Sequence, residues 1–440
     1  MRNTSLILLS LVFLASCGTQ RAISKTANKA IFSKKTLQTA HVGLAIYDPA
    51  AGKYLYQHQS NKYFVPASNT KIVTCYAAMK YLGDSLLSFR VQENNDNLIV
   101  EPCGDPSFLL SEFSFQPAWE KLAASNKPLF YRYNLNNTIS AFGSGWSWDD
   151  FQESYLAERS AMPIYGNLVR FEAKGNQFFA TPKLVTGLPF MKEPMMQLLA
   201  RGSKFSVSRS LDQNEFQLIP STKTFTSTTI PFKTMNGQVS IQFLKDTLAA
   251  VGKDIQILPE FEKAPIANLY SIPTDSLLKP LMHRSDNFFA EQSLLMVSYR
   301  RFGYMNDHKI IDTLLATDLL DLPQRPRWAD GSGLSRYNLF TPQDFVQILN
   351  KMKNEFGMDR VKGIFETGGE GTISSYYKDA KGFIYAKTGS LSGVIAFSGF
   401  LYTKKGKLLL FSTLVNNHQT SASDVRKSIE QFLLSVRENY

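Results

Sequence analysis

The chain has 440 residues, 44% of them hydrophobic, and a formal net charge of +11. Such a length buries a substantial core and suggests more than one domain, while five histidines without an H-E-x-x-H pair and three cysteines without C-x-x-C spacing argue against a zinc hydrolase or a disulfide framework. No dense Lys/Arg block stands out, so the positive charge is read as a diffuse solvated surface; neither a nucleic-acid partner nor a cofactor or metal is expected.

At the N-terminus, Arg2 precedes an apolar run from Leu6 to Ala15 that is too short to span a bilayer, which marks residues 1–16 as a secretory signal. The run ends in Leu14-Ala15-Ser16-Cys17, similar to the lipobox of bacterial lipoproteins. That similarity implies that Cys17 is acylated, begins the mature chain and anchors it to a membrane, with residues 17–36 as a polar tether; an ordinary cleaved signal with an incidental cysteine is the competing reading. Cys75 and Cys103 are expected as buried small apolar side chains.

His41 to Tyr47 reads as a strand, Asp48-Pro49-Ala50-Ala51-Gly52 as a turn, and Lys53 to His58 as its hairpin partner. Ser68 to Leu82 has helical periodicity. From about Leu87 to Ala264 the texture changes to short strands, turns and runs such as Thr222 to Thr229. Helices return with Ser276 to Lys279 and Asn287 to Tyr299. Gly382 to Lys387, Gly393 to Thr403 and Lys407 to Asn416 form three further strands, followed by a helix from Ser423 to Val436 with Val425, Ile429, Phe432 and Leu433 on one face. Strands at both ends with helices between them predict one sheet assembled from the two termini. Residues 37–86 and 265–440 are therefore expected as one domain, interrupted by an inserted accessory region, 87–264, of two β-rich subdomains.

Three short motifs carry chemistry. In Ser68-Asn69-Thr70-Lys71, three-residue spacing at a helix start places the amine one turn from the hydroxyl on the same face, so a weak nucleophile has a base beside it. Ser285-Asp286-Asn287 falls at another helix start and Lys387-Thr388-Gly389 at a strand end. Singly these patterns are weak: Ser68 could cap a helix, Asn287 could satisfy a buried backbone group, and Lys387 could be a solvated charge. Their order and joint placement favour a catalytic set. Ser332, in Asp330-Gly331-Ser332-Gly333, is not a nucleophile elbow because Asp330 replaces the first glycine; the segment is read as a turn close to the site.

With these motifs, and with Gly104-Asp105-Pro106-Ser107, Gly145-Trp146-Ser147-Trp148-Asp149-Asp150 and Ala386-Lys387-Thr388-Gly389-Ser390, nearly all of the mature chain resembles the D-alanyl-D-alanine carboxypeptidase/endopeptidases of the class C penicillin-binding type, the penicillin-binding protein 4 group. The interval from Ser68 to Ser285 is much longer than in class A β-lactamases. The resemblance implies an α/β fold: a serine β-lactamase/transpeptidase-like domain, an antiparallel sheet flanked by helices, interrupted by a β-rich accessory insertion. It implies peptidoglycan stem peptides as substrate, β-lactam antibiotics as inhibitors, and an exported lipoprotein on the periplasmic side of the inner or outer membrane.

The roles it implies are an acyl-enzyme on Ser68, Lys71 as base and Ser285 as proton carrier. Asn287 would bind the substrate amide, and Lys387, Thr388 and Ser390 its terminal carboxylate. Gly389 would leave room beside the strand, and the backbone N–H groups of Ser68 and Ser390 would form an oxyanion hole. Enclosure and the charge of Lys387 are expected to depress the Lys71 pKa. Asp150 with Tyr155 would bind the amine of a peptidoglycan diamino acid; acids at a helix N-terminus are an equally good account of Asp150. Carboxypeptidase and endopeptidase turnover are both compatible with the motifs. The competing functions are a serine β-lactamase and a non-catalytic peptidoglycan-binding lipoprotein. No motif marks a protein partner or an oligomeric state.

Overall fold

The structure, a computed structural model, describes residues 21–174, 177–184, 196–198, 205–220, 227–258 and 266–440. The signal at 1–16 and Cys17 lie outside the described residues. The chain forms two compact units: one takes in the described residues up to Tyr76, Leu278–Asp286 and Ile311–Tyr440, the other Ala77–Leu277 and Asn287–Ile310.

The first unit is built on a six-stranded antiparallel sheet. In chain order its main elements are α1 (residues 21–32), β1 (His41–Asp48), β2 (Lys53–His58), the part of α2 (Thr70–Tyr81) up to Tyr76, α3 (Pro342–Ile364), β3 (Glu366–Thr367), β4 (Ile384–Leu391), β5 (Val394–Tyr402), β6 (Leu408–Asn416) and α4 (Ala422–Asn439). The sheet order is β3-β4-β5-β6-β1-β2. N-terminal and C-terminal strands meet in its middle, with His41 opposite Asn416 and Tyr47 opposite Leu410. This is the sheet of both termini expected from the strand pattern.

Both faces of this sheet are covered, which is why β5 is buried from Val394 through Leu401 instead of alternating. On one face Val42, Leu44 and Ile46 pack with Leu409, Phe411 and Val415 against Val425, Ile429, Phe432 and Leu433 of α4. Gly43 points the other way, where a Cβ would overlap Phe64 and Pro342, so α3 covers the opposite face. Each fully buried aliphatic or phenyl side chain contributes about 1.5–3 kcal/mol of hydrophobic stabilisation. Helix starts follow local chemistry: Thr341 caps α3 and Asp344 returns the bond, with Pro342 in the first turn, and Ser421 caps α4.

The expected tether over 17–36 is corrected from residue 21 onward. Ile23, Ala27, Ala30 and Ile31 recur at helical spacing, and α1 buries them in the core that α4 also lines.

The second unit is β-rich. A five-stranded sheet runs Ile255–Ile257, Leu129–Tyr131, Leu98–Pro102, Ser85–Glu93, Ala267–Pro273, and two three-stranded sheets accompany it. Its core mixes aliphatic side chains with phenylalanines, Phe89 meeting Phe108 edge-on at 5.1 Å between ring centroids. The helix Asn287–Phe302 belongs here because Arg159 binds both Glu291 (3.4 Å) and Asp307 (2.7 Å) in the interior. Cys75 and Cys103 are buried and form no disulfide, each in its own unit; burial pushes the Cys103 thiol well above its ordinary pKa.

Candidate active site

Ser68 sits in a 3₁₀ turn, Ala67–Asn69, just ahead of α2 and not inside it. Several bonds hold this turn rigid. Val65 N–H donates to the Asn416 side chain at 2.8 Å, whose amide donates back to the Val65 carbonyl at 3.0 Å. Asn69 Nδ2 donates to Ser398 Oγ on β5 at 2.7 Å, and Thr70 Oγ1 donates to the Ala67 carbonyl at 2.9 Å. Ala67 takes a positive φ of 46°, which turns Ser68 out to partial exposure.

Lys71, fully buried, brings Nζ to 3.1 Å from Ser68 Oγ and donates to the Ser332 carbonyl at 2.7 Å. The Ser332 segment is the turn read from sequence, not a second nucleophile. Its frame is Asp330, which accepts Gly333 N–H at 2.8 Å, Ser335 N–H at 2.7 Å and Asn338 Nδ2 at 2.7 Å. Thr74 Oγ1 ties the same turn to α2 through the Gly331 carbonyl at 2.6 Å. A single direction for the lysine amine follows from two fixed acceptors.

Lys387, Thr388, Gly389 and Ser390 lie within β4, paired through to Leu391, whereas the pattern predicted a strand ending at Lys387. The hairpin to β5, closed at Gly393 with φ of 72°, extends the ladder. A Cβ on Gly389 would lie 2.7 Å from the Pro66 carbonyl and 3.0 Å from the backbone nitrogens of Ser68 and Asn69. The glycine thus leaves space for the nucleophile's own turn. Thr388 and Ser390, alternating with it, carry their hydroxyls elsewhere: Thr388 Oγ1 lies 2.6 Å from Thr372 Oγ1, and Ser390 Oγ accepts from Arg426 of α4 at 2.8 Å.

Lys387 is fully buried, its Nζ donating to the Thr388 carbonyl at 3.1 Å. Burial lowers its pKa to about 8 although the charge of Glu366 pulls it up. Glu366, fully buried in β3 opposite Ala386, is pushed up to about 7 by burial, against the charge of Lys387 and the hydrogen bonds it accepts. His283 ends the helix Thr274–His283; burial and then the Lys279 charge hold its ring below the usual imidazole range, and the charge of Lys387 acts in the same direction. Motif reading found neither Glu366 nor Arg426. The only visible signal for Glu366 was the glycine-rich run that follows it, Gly368-Gly369-Glu370-Gly371.

Ser285, with φ of 60°, occupies the link after that helix and belongs to the same unit as Ser68, Lys71 and Lys387. Asn287 opens the next helix and belongs to the second unit, as do Asp150 and Tyr155. Within that unit Asn287 Nδ2 donates to the Tyr155 carbonyl at 3.2 Å. The Tyr155 hydroxyl is pushed up to about 12 by burial and by its hydrogen bond to Asp150. Asp150 is the last residue of a short 3₁₀ turn, Trp148–Asp150, so the acids there precede no long helix.

A model of the D-Ala-D-Ala carboxypeptidase 3 (S13) family matches residues 25–436. The chain belongs to this family. It is accordingly an enzyme, a serine-type D-Ala-D-Ala carboxypeptidase. Among S13-related proteins, the D-alanyl-D-alanine carboxypeptidase DacB of Haemophilus influenzae is 24% identical over 435 residues, covering 89% of each chain. The crystal structure of penicillin binding protein 4 from the same organism aligns over 93% of this chain and 97% of its own with a TM-score of 0.70 at 21% identity. A predatory endopeptidase of Bdellovibrio bacteriovorus aligns over 90% and 93% with a TM-score of 0.51 at 14% identity. Both structures share the transpeptidase-like fold with its added β-rich region. Among the described residues no helix is long and apolar enough to cross a membrane.

Proposed function

We propose that this S13 enzyme removes the terminal D-alanine from peptidoglycan stem peptides through an acyl-enzyme on Ser68. The observation that carries the proposal is the 3.1 Å contact between Lys71 Nζ and Ser68 Oγ, with the amine aimed by the Ser332 carbonyl. With its amine neutral, Lys71 accepts the Ser68 proton as Oγ bonds to the carbonyl carbon between the two D-alanines. The negative oxygen of the tetrahedral adduct takes hydrogen bonds from the backbone N–H groups of Ser68 and Ser390. Its collapse breaks the C–N bond, and Ser285 passes the proton to the departing amine. Water then attacks the ester, its proton passing to Lys71 and on to Ser68 Oγ as the acyl C–O bond breaks, which frees the shortened peptide and restores the neutral amine.

Lys387, Thr388 and Ser390 bind the terminal carboxylate in this reading, and Asn287 the substrate amide. The same bond chemistry cuts D-alanyl crosslinks, so endopeptidase turnover is part of the proposal; Asp150 with Tyr155 would hold a diamino-acid ammonium in either reaction. β-Lactams present a similar carbonyl and carboxylate, and acylate Ser68. Lipid on Cys17 holds the enzyme at a membrane of the cell envelope.

Intact mass after mixing with benzylpenicillin tests the nucleophile, with free penicillin followed in parallel. A persistent single adduct that Ser68→Ala abolishes, together with D-alanine release from stem-peptide fragments, is the expected result. Rapid penicillin hydrolysis without a lasting adduct would make the chain a β-lactamase. Neither adduct nor hydrolysis would refute Ser68 catalysis.

A further inference from the structure

We propose that Glu366 is a positioning residue that sets, through Thr372, the direction of the Thr388 hydroxyl, and that its carboxyl must carry a proton for the site to hold an anionic C-terminus. The proposal rests on the reading of Thr388 as a contact to the substrate's carboxylate.

The geometry is a three-membered chain. One Glu366 oxygen, Oε2, accepts Thr372 N–H at 2.5 Å, and the other, Oε1, is bonded to Thr372 Oγ1. Thr372 Oγ1 in turn lies 2.6 Å from Thr388 Oγ1, at an exposed edge of the site. The acid is fully buried, and Gly371 makes its approach possible: with φ of 51°, a Cβ there would overlap Glu366 Oε2 and the His283 carbonyl.

A hydroxyl owns one proton. With Glu366 ionised, Thr372 spends its proton on Oε1 and can only accept from Thr388. Thr388 then donates inward and turns lone pairs to the solvent, the wrong polarity for a carboxylate. With Glu366 protonated, Oε1–H donates to Thr372, Thr372 donates to Thr388, and the Thr388 proton points out to the ligand. No covalent bond changes; one proton on Glu366 reverses two hydroxyls.

Burial favours the protonated state, raising Glu366 to about 7, within reach of neutral pH. The charged and titratable groups around it are Lys387 on β4, His283 at the end of its helix, and Glu370 in the following turn, itself paired with Lys381 at 3.1 Å. Lys387 opposes protonation, and a bound carboxylate would offset that opposition. A raised carboxyl is protonated below its folded pKa and ionises above it, so capture of an anionic C-terminus takes up a proton and weakens as pH rises through about 7.

The test compares acylation rates of benzylpenicillin and its methyl ester, which lacks the anion, from pH 5.5 to 9. The acid-to-ester ratio cancels effects common to the acylation chemistry. Glu366→Gln would also remove the anion that steadies Lys387, so the informative variant is Thr372→Val, which keeps the Thr372 N–H bond and the Glu366–Lys387 pair but cuts the hydroxyl chain. In the wild type the ratio should fall between pH 6 and pH 8 by about tenfold more than in Thr372→Val, the factor for losing one proton with a pKa near 7. Thr372→Ser should restore the wild-type profile. Superimposable profiles for wild type and Thr372→Val, with both proteins acylated, would overturn the relay while leaving the Ser68 mechanism intact. Failure of the wild type to react with either compound would instead overturn that mechanism, and this inference with it.

Discussion

Replacing Gly389 by alanine tests whether the strand and the nucleophile's turn are as tightly fitted as the geometry indicates. The backbone at Gly389 is ordinary strand, without positive φ, so alanine meets no conformational penalty there. The cost comes from overlap alone: the new methyl would stand 2.7 Å from the Pro66 carbonyl and 3.0 Å from the Ser68 and Asn69 nitrogens. These are backbone atoms, and the Asn416 clamp on Val65 and the Asn69–Ser398 bond keep their turn from yielding. Relief demands a shift of roughly half an ångström, which overpacking data put at about 1–3 kcal/mol. The shift falls on the nucleophile. Since a misplacement of about 1 Å can cost about 100-fold, acylation by benzylpenicillin should slow by roughly tenfold or more. Stopped-flow acylation and thermal denaturation measure the two effects. Gly406→Ala is the control: its φ is 78° with nothing within 4 Å of the added carbon, so it should lose about 1 kcal/mol to backbone strain and acylate normally. Wild-type acylation and unchanged stability in Gly389→Ala would refute the argument.

Three further outcomes are expected. Arg159→Met leaves Glu291 and Asp307 buried beside a neutral side chain and should lower stability by about 3–5 kcal/mol in denaturant titration; a loss under 1 kcal/mol would contradict it. Asp344, raised from 3.8 to about 6 by burial, contributes stability that is fully present below pH 3.8 and is lost as pH rises through about 6, a difference of about 3 kcal/mol. The stability gap between wild type and Asp344→Asn should therefore move towards the variant from pH 4 to pH 7, and a constant gap would disprove the assignment. Arg426→Ala removes the charged donor on Ser390 Oγ and should raise KM for carboxylate-terminated peptides about tenfold, with a smaller effect on kcat; steady-state kinetics showing KM within twofold of wild type would exclude Arg426 from substrate binding.

Local periodicity explains what was legible in the chain itself. Ser68 and Lys71 meet because three residues at a helix start span one turn, and that relation needs no distant partner. Strand-type runs bounded by turn residues located β1, β2, β5 and β6 to within a few residues, and their position at the chain's two ends foretold the shared sheet. The apolar stripe of α4 likewise named the side chains that line the core.

What tertiary structure alone decided depends on contacts between segments far apart in sequence. Nothing in Glu366 or Thr372 announces a tie to Thr388; strand pairing of β3 with β4 and the missing Cβ of Gly371 bring them together, and burial moves the acid's pKa. Arg426 looks like any polar residue of an amphipathic helix until α4 packs beside β4. The polar composition of residues 21–36 suggested a tether because the surface that buries Ile23 and Ile31 comes from the opposite end of the chain. Gly389, expected to leave space beside the strand and to let backbone approach closely, has the turn of Ser68 as that backbone, and only the fold shows which segment it is. Side-chain type and spacing specify local geometry; desolvation and close approach arise only when the folded chain supplies the other half of each contact.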